Sequence, residues 1–449
     1  MAIAAGLLMA ASFPPYRIPL LLPFGFALLL HALDVPSVKA AARLAFACGL
    51  VYFGATIFWL GNLFGVGAIS LIAIAANFPL LFGWCFAMAK ARIHGTAVWF
   101  IAPVLWTGIE YFRSEPFPLN FGWMGFGYAV VGSPLACKLA SIVGGYGVTF
   151  VIAALGTAIY RAVVSRNYLL LGGAASLWVA VLLMPQPSAV IERPLKVRLV
   201  QANSEDDESH FRHSESTQAF IPDVILWPEY SFVSDPTLNS KLWAKLADVA
   251  KENKALFIYG AKETINPNDE AAFHNTAYVM DQTGVVIGKH YKNHPVHFIR
   301  DGVPGTQAKA IPTPLGRIGV GICFDMDYPD VARRLAQDGA EVFLIPNDDP
   351  PEWGNVQRAQ HALLFRMRAA ENGKWLARAD VAGGTSAVAP DGREIAHIAT
   401  EEPGKLDVVI GRNKTRTLYS LGGWVFGPLC FVCSVLLVIG GIIRPRKPS

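Results

Sequence analysis

Residues 316–348 read GRIGVGICFDMDYPDVARRLAQDGAEVFLIPND. "GRIGVGICFD" has the β-branched, apolar make-up of a strand. "YPDVARRLAQDG" carries its apolar side chains at helical spacing, and "AEVFLIPND" is a second short apolar strand that ends on polar residues. A strand, a helix and a strand in so few residues mark an α/β domain. The single cysteine of the stretch, Cys323, stands where the first strand runs out.

The flanks continue the pattern in both directions. Upstream, "LKVRLVQAN" (195–203) alternates with period two, and "DVILWPEYSF" (223–232) is a short apolar strand ending on a charge. "KLWAKLADVAKENK" (241–254) has helical spacing, and "ALFIYGAKE" (255–263) follows as a strand. "NTAYVMD" and "GVVIGKHYKNH" read as a hairpin turning at 282–284. Downstream, "NVQRAQHALLFRMRAAENG" (355–373) predicts a longer helix, and "KWLARADVAGGTSAVAPDGREIA" (374–396) a strand pair turning at Asp391-Gly392. The expected extent of this domain is 194–413.

Outside it the composition changes. The chain of 449 residues is 53% hydrophobic and only 16% charged, against about 25% charged in soluble proteins. The excess is concentrated in residues 1–186 and 421–443. Apolar runs at 2–12, 17–33, 44–63, 67–89, 97–112, 135–160, 168–184 and 421–443 predict membrane helices. The first is short and ends at Pro14-Pro15, and no basic segment precedes it as in a signal peptide. About seven helices are therefore expected before the α/β domain and one after it. Lys39, Arg43, Lys90, Arg92, Arg161, Arg166 and the tail residues Arg444, Arg446 and Lys447 fall in loops of one side, against Arg17 and Arg113 on the other. The positive-inside bias then puts the α/β domain outside the cytoplasmic membrane, in the periplasm of a two-membrane cell. Net charge is +4 with no basic run in the water-facing part, so no nucleic-acid partner is expected.

Of six cysteines, only Cys323 lies in that part, which excludes an internal disulfide there. Three residues stand where apolar strands end: Glu229, Lys292 and Cys323. A thiolate can attack a carbonyl or nitrile carbon, a carboxylate can move its proton, and an ammonium can hold the oxyanion. Each alone also reads as filler or as a solvated surface group. Asp325 and Asp327 read better as braces of the turn than as metal ligands. His290, His294 and His297 surround a lysine that would repel a cation, so neither a metal nor a cofactor is expected.

The segments "PDVILWPEYSF", "YKNHPV", "GVGICFDMDYPDVARRLAQDGAEVFLIPND" and "RAQHALLFRMRAAENGKWLARADVAGGTSAVAPDGR", in that order, resemble the nitrilase, or carbon–nitrogen hydrolase, superfamily. With the membrane segments "LLMAASFPPYRIPLLLPFGFALLL" and "NFGWMGFGYAVVGSPLACKLASIVGGYGVTFVIAAL", the whole chain resembles the apolipoprotein N-acyltransferase family. The resemblance implies a helical membrane bundle carrying an αββα sandwich. It implies Cys323 as nucleophile, Glu229 as general base and Lys292 as oxyanion cation, supported by the Phe324 amide. Trp227, Tyr230, Trp353 and His361 would line the substrate. A phospholipid would acylate Cys323, and the N-terminal amine of a lipoprotein would take the acyl chain, in the cell inner membrane.

The chain departs from the family pattern at several places. "HPVHFIRDGVPG" (294–305) lacks the family's second glutamate, with Asp301 one residue past its place. "NDDPPEWGN" (347–355) rebuilds the loop bearing Trp353, Tyr230 replaces a small residue, and Asp380 replaces an asparagine. An acyltransferase with another amine acceptor, a membrane-anchored amidase and a silent scaffold remain alternatives at this point.

Overall fold

The computed structural model describes residues 1–92, 97–166, 168, 172–173, 181, 183, 187–203 and 207–443. The expected span 168–184 and the basic tail from Arg444 lie essentially outside these residues. The chain forms two compact units: Met1–Gln186 with Glu352–Leu363 and Gly422–Ser449, and Pro187–Pro351 with Leu364–Leu421.

The first unit is helical, with its main helices at Ala2–Ala10, Leu21–Ala32, Val38–Thr56, Gly67–Lys90, Ala97–Ser114, Pro134–Ser165 and Phe426–Ile443. Among the described residues, four helices are long and apolar enough to cross a membrane: Val38–Thr56, Gly67–Lys90, Pro134–Val164 and Gly423–Gly440. On the last of these Leu429, Val432, Leu436 and Ile439 are exposed, a surface suited to hydrocarbon rather than water. Charges inside the unit are matched by hydrogen bonds, as a low-dielectric setting requires. Glu110 accepts from the Thr149 hydroxyl at 2.6 Å and the Phe126 amide at 3.0 Å. Arg113 donates to the carbonyls of Phe121 and Trp123 at 2.6 and 2.8 Å.

The apolar run 44–63, read as one span, is broken. Its helix stops at Thr56, and a short helix Leu60–Phe64 follows. The Gln360 amide explains the stop: it donates to the carbonyls of Thr56 at 2.8 Å and Pro14 at 3.1 Å, and accepts from the Trp59 indole at 2.8 Å. A helix end leaves carbonyls without partners, and a side chain from elsewhere in the unit supplies donors here.

The second unit contains two six-stranded sheets. The strands are β1 (Pro194–Gln201), β2 (Val224–Leu226), β3 (Leu256–Thr264), β4 (Phe273–Met280), β5 (Val286–Tyr291), β6 (Ile311–Thr313), β7 (Gly316–Val320), β8 (Val342–Pro346), β9 (Leu376–Ala379), β10 (Ser386–Val388), β11 (Glu394–His397) and β12 (Gly404–Gly411). One sheet has the order β12-β1-β2-β3-β4-β5, the other β11-β10-β9-β8-β7-β6. β1, β2 and β3 run parallel, as do β7, β8 and β9.

Strand alternation sorts the side chains into layers. Val197, Leu199, Val224, Leu226, Ile258, Val320, Val342 and Leu344 form the core between the sheets. Their neighbours Ile225, Trp227, Phe257 and Tyr259 face outward under the helix Ser240–Asn253. Phe343 and Ile345 face outward with Val331, Leu335, Phe365 and Ala369 of the helices Pro329–Gln337 and Asn355–Asn372. Helix, sheet, sheet, helix is the αββα sandwich.

Three details differ from the expectation. The strand "GRIGVGICFD" ends at Val320, and Cys323–Asp327 is a 3-10 turn. Residues 374–396 hold three strands, β9, β10 and β11, with the Asp391-Gly392 turn joining the last two. β12, which the sequence pattern did not announce, pairs antiparallel with β1 along its length.

Candidate functional site

In α/β sheets, sites form beyond the carboxyl ends of parallel strands. Here β2 is followed by Glu229, β7 by Cys323, β8 by Asp348 and Asp349, and β9 by Asp380, while Lys292 follows β5 at once. The two sheets are tied at this end by the Glu229 amide, which donates to the Asn347 carbonyl at 3.2 Å, while the Asn347 amide extends the β8–β9 pairing by donating to the Ala379 carbonyl at 2.8 Å.

The Trp227–Tyr230 turn folds tightly onto β3. A Cβ on Gly260 would stand 2.6 Å from the Glu229 Cα, so glycine is required there. Tyr230 and Cys323 both have left-handed backbones, with φ of 48° and 44°. Neither residue gains what glycine gains from that region, at a cost of about 1–2 kcal/mol each. The bend at Cys323 turns its side chain out of the strand line. Asp325 holds the bend. Its carboxylate accepts from the Ile322 amide at 3.0 Å, from His290 Nε2 at 2.8 Å, and from the Asn293 and His294 amides at 2.8 and 2.9 Å. The nucleophile turn and the lysine loop are thereby pinned to one carboxylate. Burial raises the Asp325 carboxyl, but the His290 bond and charge more than offset this and hold it below its usual range. His294 pairs with a different carboxylate, Asp330, at 2.9 Å.

Glu229, Lys292 and Asp301 form a fully interior cluster. Lys292 Nζ lies 2.8 Å from Glu229 Oε1 and 2.7 Å from Asp301 Oδ2. The three side chains are at most 4% exposed. Asn275 Nδ2 bridges the carboxylates, at 2.6 Å from Glu229 and 2.8 Å from Asp301. Asp301 also accepts from the Tyr230 hydroxyl at 2.7 Å and the Val296 amide at 2.8 Å. Asp301 thus brings a second carboxylate to Lys292.

Burial disfavours every charge here, and the pairing decides which survive. Burial pushes the Lys292 ammonium down, but Glu229 and Asp301 outweigh it and hold it well above its usual range. Burial pushes Asp301 up, but the Lys292 charge and hydrogen bond hold it below. Glu229 is raised, first by burial and then by Asp301, with Lys292 opposing. The Cys323 thiol, buried and 3.9 Å from the Asp348 carbonyl, is raised by burial and by Glu229, with Lys292 opposing. The site therefore sets an ammonium and a carboxylate whose charged forms are favoured beside a carboxylate and a thiol that are pushed toward their protonated forms.

Of the remaining expected residues, Phe324 follows the nucleophile and packs edge-on to Tyr328, their ring centres 5.6 Å apart. Tyr230 is in the cluster through its hydroxyl. Trp227 is a correction: it is fully buried among Phe211, Phe232 and Phe257, its indole donating to Ser214 Oγ at 2.7 Å. It packs with Ile225, Phe257 and Tyr259 on the outer face of its sheet. Trp353 and His361 belong to the helical unit, where the Trp353 carbonyl accepts from Asn62 at 3.5 Å and His361 stacks on Trp123 at 5.2 Å.

Asn275 was not foreseen. Its only signal is an asparagine inside an apolar strand, where that residue is disfavoured. Asp349 was also missed. It lies 3.5 Å from the Arg378 guanidinium, and its amide donates to Asp380 Oδ1 at 2.8 Å. Burial, then Asp349, pushes the Asp380 carboxyl up to about 7.

A family model described as the apolipoprotein N-acyltransferase N-terminal domain matches residues 5–158. One described as carbon-nitrogen hydrolase matches residues 196–419. The apolipoprotein N-acyltransferase of Geobacter metallireducens is 26% identical, the alignment covering 96% of this chain and 92% of the relative. That of Photobacterium profundum is 25% identical, covering 100% and 95%, and that of Haemophilus ducreyi 28%, covering 97% and 94%. Among solved structures, a carbon-nitrogen hydrolase from Helicobacter pylori superposes with a TM-score of 0.42 at 18% identity, covering 54% of this chain and 94% of its own.

Proposed function

Since the chain belongs to the apolipoprotein N-acyltransferase family, we propose that it moves a fatty acyl chain from a phospholipid, through a thioester on Cys323, to the N-terminal amine of a lipoprotein. The observation that carries this reading is the buried Glu229–Lys292–Asp301 cluster, whose Glu229 and Lys292 charges act on the buried Cys323 thiol.

Glu229 takes the thiol proton as sulfur attacks the ester carbonyl of the phospholipid. The tetrahedral oxyanion is held by the Lys292 ammonium and the Phe324 amide. Collapse expels the lysophospholipid alkoxide, which receives the proton from Glu229. The lipoprotein amine then attacks the thioester, Glu229 accepts the amine proton, and the thiolate leaves and is reprotonated. Asp301 stays ionised throughout as the counterion of Lys292, so that Glu229 is free to change charge. Both substrates carry acyl chains whose removal from lipid costs about 0.8 kcal/mol per methylene. An enzyme anchored by its own membrane helices meets them where they reside. We place it in the cell inner membrane with the α/β unit facing the periplasm, on the positive-inside distribution of Lys39, Arg43, Lys90, Arg92, Arg161 and Arg166.

The test is transfer of a labelled acyl chain from phospholipid to a synthetic diacylated lipopeptide by the purified protein. Labelled triacyl product supports the reading. Turnover of simple amides without any lipid-derived product would replace it with a membrane-anchored amidase.

A further inference from the structure

The α/β unit has a cleft at the opposite end of its sheet from Cys323. β7 starts at Gly316 and β8 at Val342, whereas Cys323 and Asp348 follow their other ends. Five strand residues at about 3.3 Å each separate the two ends by roughly 15 Å. The cleft, of about 380 Å³, is lined by Arg317, Glu341, Lys374, Lys414 and Arg416 together with the β6–β7 turn.

Its charges do not balance. Arg317 is taken by Asp338 at 2.5 Å and by the carbonyls of Asp338 and Ala310. Glu341 is taken by Arg193, and Lys414 reaches it only at 3.9 Å. Lys374 is 1% exposed and is held by neutral groups: the carbonyls of Asn413 at 3.0 Å and Thr415 at 2.7 Å, and the Asn413 side chain at 3.2 Å. Arg416 donates to the Gln337 carbonyl at 3.1 Å. Glu341 is thus the one carboxylate lining the cleft among the described residues, and with Arg193 already on it, it faces Lys374, Lys414 and Arg416 together. The strain shows in the lysine: burial pushes it down to about 8, Glu341 pulls the other way, and Arg416 adds to the fall. An anion in the cleft would relieve this repulsion.

We propose that this cleft binds a phosphate-bearing anion, with the exposed Lys414 and Arg416 as its ligands and the buried Lys374 as a fixed charge behind them. Lysine and arginine are the side chains that hold phosphate oxygens. Arg416 stands ten residues before Phe426, where the apolar helix Phe426–Ile443 starts. A cleft residue this close in sequence to a span makes a lipid headgroup one source of such a phosphate. The shared chemistry is a phosphate, from a lipid headgroup or free in solution.

The experiment follows the thermal unfolding of the full-length protein in detergent, titrated separately with inorganic phosphate, dioctanoyl-phosphatidylglycerol and dioctanoyl-phosphatidylcholine. Saturable stabilisation by phosphatidylglycerol beyond that by phosphatidylcholine identifies a headgroup. Saturable stabilisation by inorganic phosphate with no difference between the lipids identifies a free anion. In either case Lys414→Glu/Arg416→Glu should weaken the response on the order of 30-fold, about fivefold for each basic side chain. Lys414 is exposed, so Lys414→Ala keeps the test open should the double variant fail to fold, with a loss of about fivefold expected. No stabilisation by any of the three, or the same stabilisation in the variants, overturns the proposal.

Discussion

Asp301→Asn isolates the part of the site that the sequence left most open. The substitution keeps the shape and removes one charge. Each Asp301 oxygen faces two donors: Oδ1 the Tyr230 hydroxyl and the Asn275 amide, Oδ2 the Lys292 ammonium and the Val296 amide. An asparagine must turn its NH2 toward one of these pairs. Two hydrogen bonds to a carboxylate are then lost, at about 1.5–3 kcal/mol each. The upper end, about 6 kcal/mol, is a large part of a domain's stability, so a thermal melt accompanies every rate. The catalytic effect follows from charge. With Asp301 neutral, Lys292 has Glu229 as its only carboxylate partner in the cluster, and the Asp301 repulsion that raises Glu229 is gone. Glu229 becomes a weaker base. A general base contributes typically 10²–10⁴-fold, and weakening it should cost on the order of 10²-fold in thioester formation. The assay is the pre-steady-state rate of acyl-enzyme formation from labelled phospholipid, with its pH profile. The acidic limb should move to lower pH as the plateau rate falls. A folded Asp301→Asn protein that acylates at the parental rate, with an unmoved pH profile, would refute the assignment of Asp301 as the standing counterion.

Further outcomes follow from the same geometry. Glu229→Gln should leave the fold intact and abolish acylation, read as absence of labelled protein on a gel. Lys292→Ala should slow acylation on the order of 10²-fold or more, and it leaves two buried carboxylates facing each other, so its unfolding temperature should also fall. Activity of the parent protein should decline on acidification at a pH above 4.5, the ordinary value for glutamate, because burial and Asp301 raise Glu229. For stability, burial lowers His294 but Asp330 outweighs it and holds the imidazole above 6.5, while Asp330, raised by burial, is held below 3.8 by His294. The His294 contribution is full below pH 6.5 and is lost as pH rises through the raised value. The Asp330 contribution is present above 3.8 and is lost on strong acidification. His294→Gln should therefore flatten the alkaline fall of the melting temperature. Gln360→Leu should destabilise the helical unit by about 2–3 kcal/mol, because three buried partners lose a neutral hydrogen bond.

The sandwich was legible because strand and helix periods are local properties. Cys323, Glu229 and Lys292 were legible as strand-end residues, and the flanking segments gave their order. What escaped depended on the partner strand or on register. β12 carries Lys405 and Asp407 among its apolar residues and is a strand because β1 supplies its hydrogen bonds. Asp407 meets the buried Arg198 at 2.7 Å, a pairing no local pattern announces. Trp227 lies two residues from Glu229 yet packs with Ile225 and Phe257 on the outer face, because β2 ends at Leu226 and the chain turns before Glu229. Asp301 stood one residue off its expected position, yet the loop after Lys292 brings it to the ammonium because the Val296 amide and Tyr230 hydroxyl anchor it. The break at Thr56 could not be read from an uninterrupted apolar run, because its cause, Gln360, lies some three hundred residues away.

The most direct measurement is the intact mass of the purified protein after incubation with phospholipid, before and after neutral hydroxylamine. The account predicts one added acyl mass on the parent protein, released by hydroxylamine, mapped to the Cys323 peptide and absent from Cys323→Ala. An adduct that survives hydroxylamine, forms equally on Cys323→Ala, or never forms on a protein that still transfers acyl chains would contradict the thioester on Cys323.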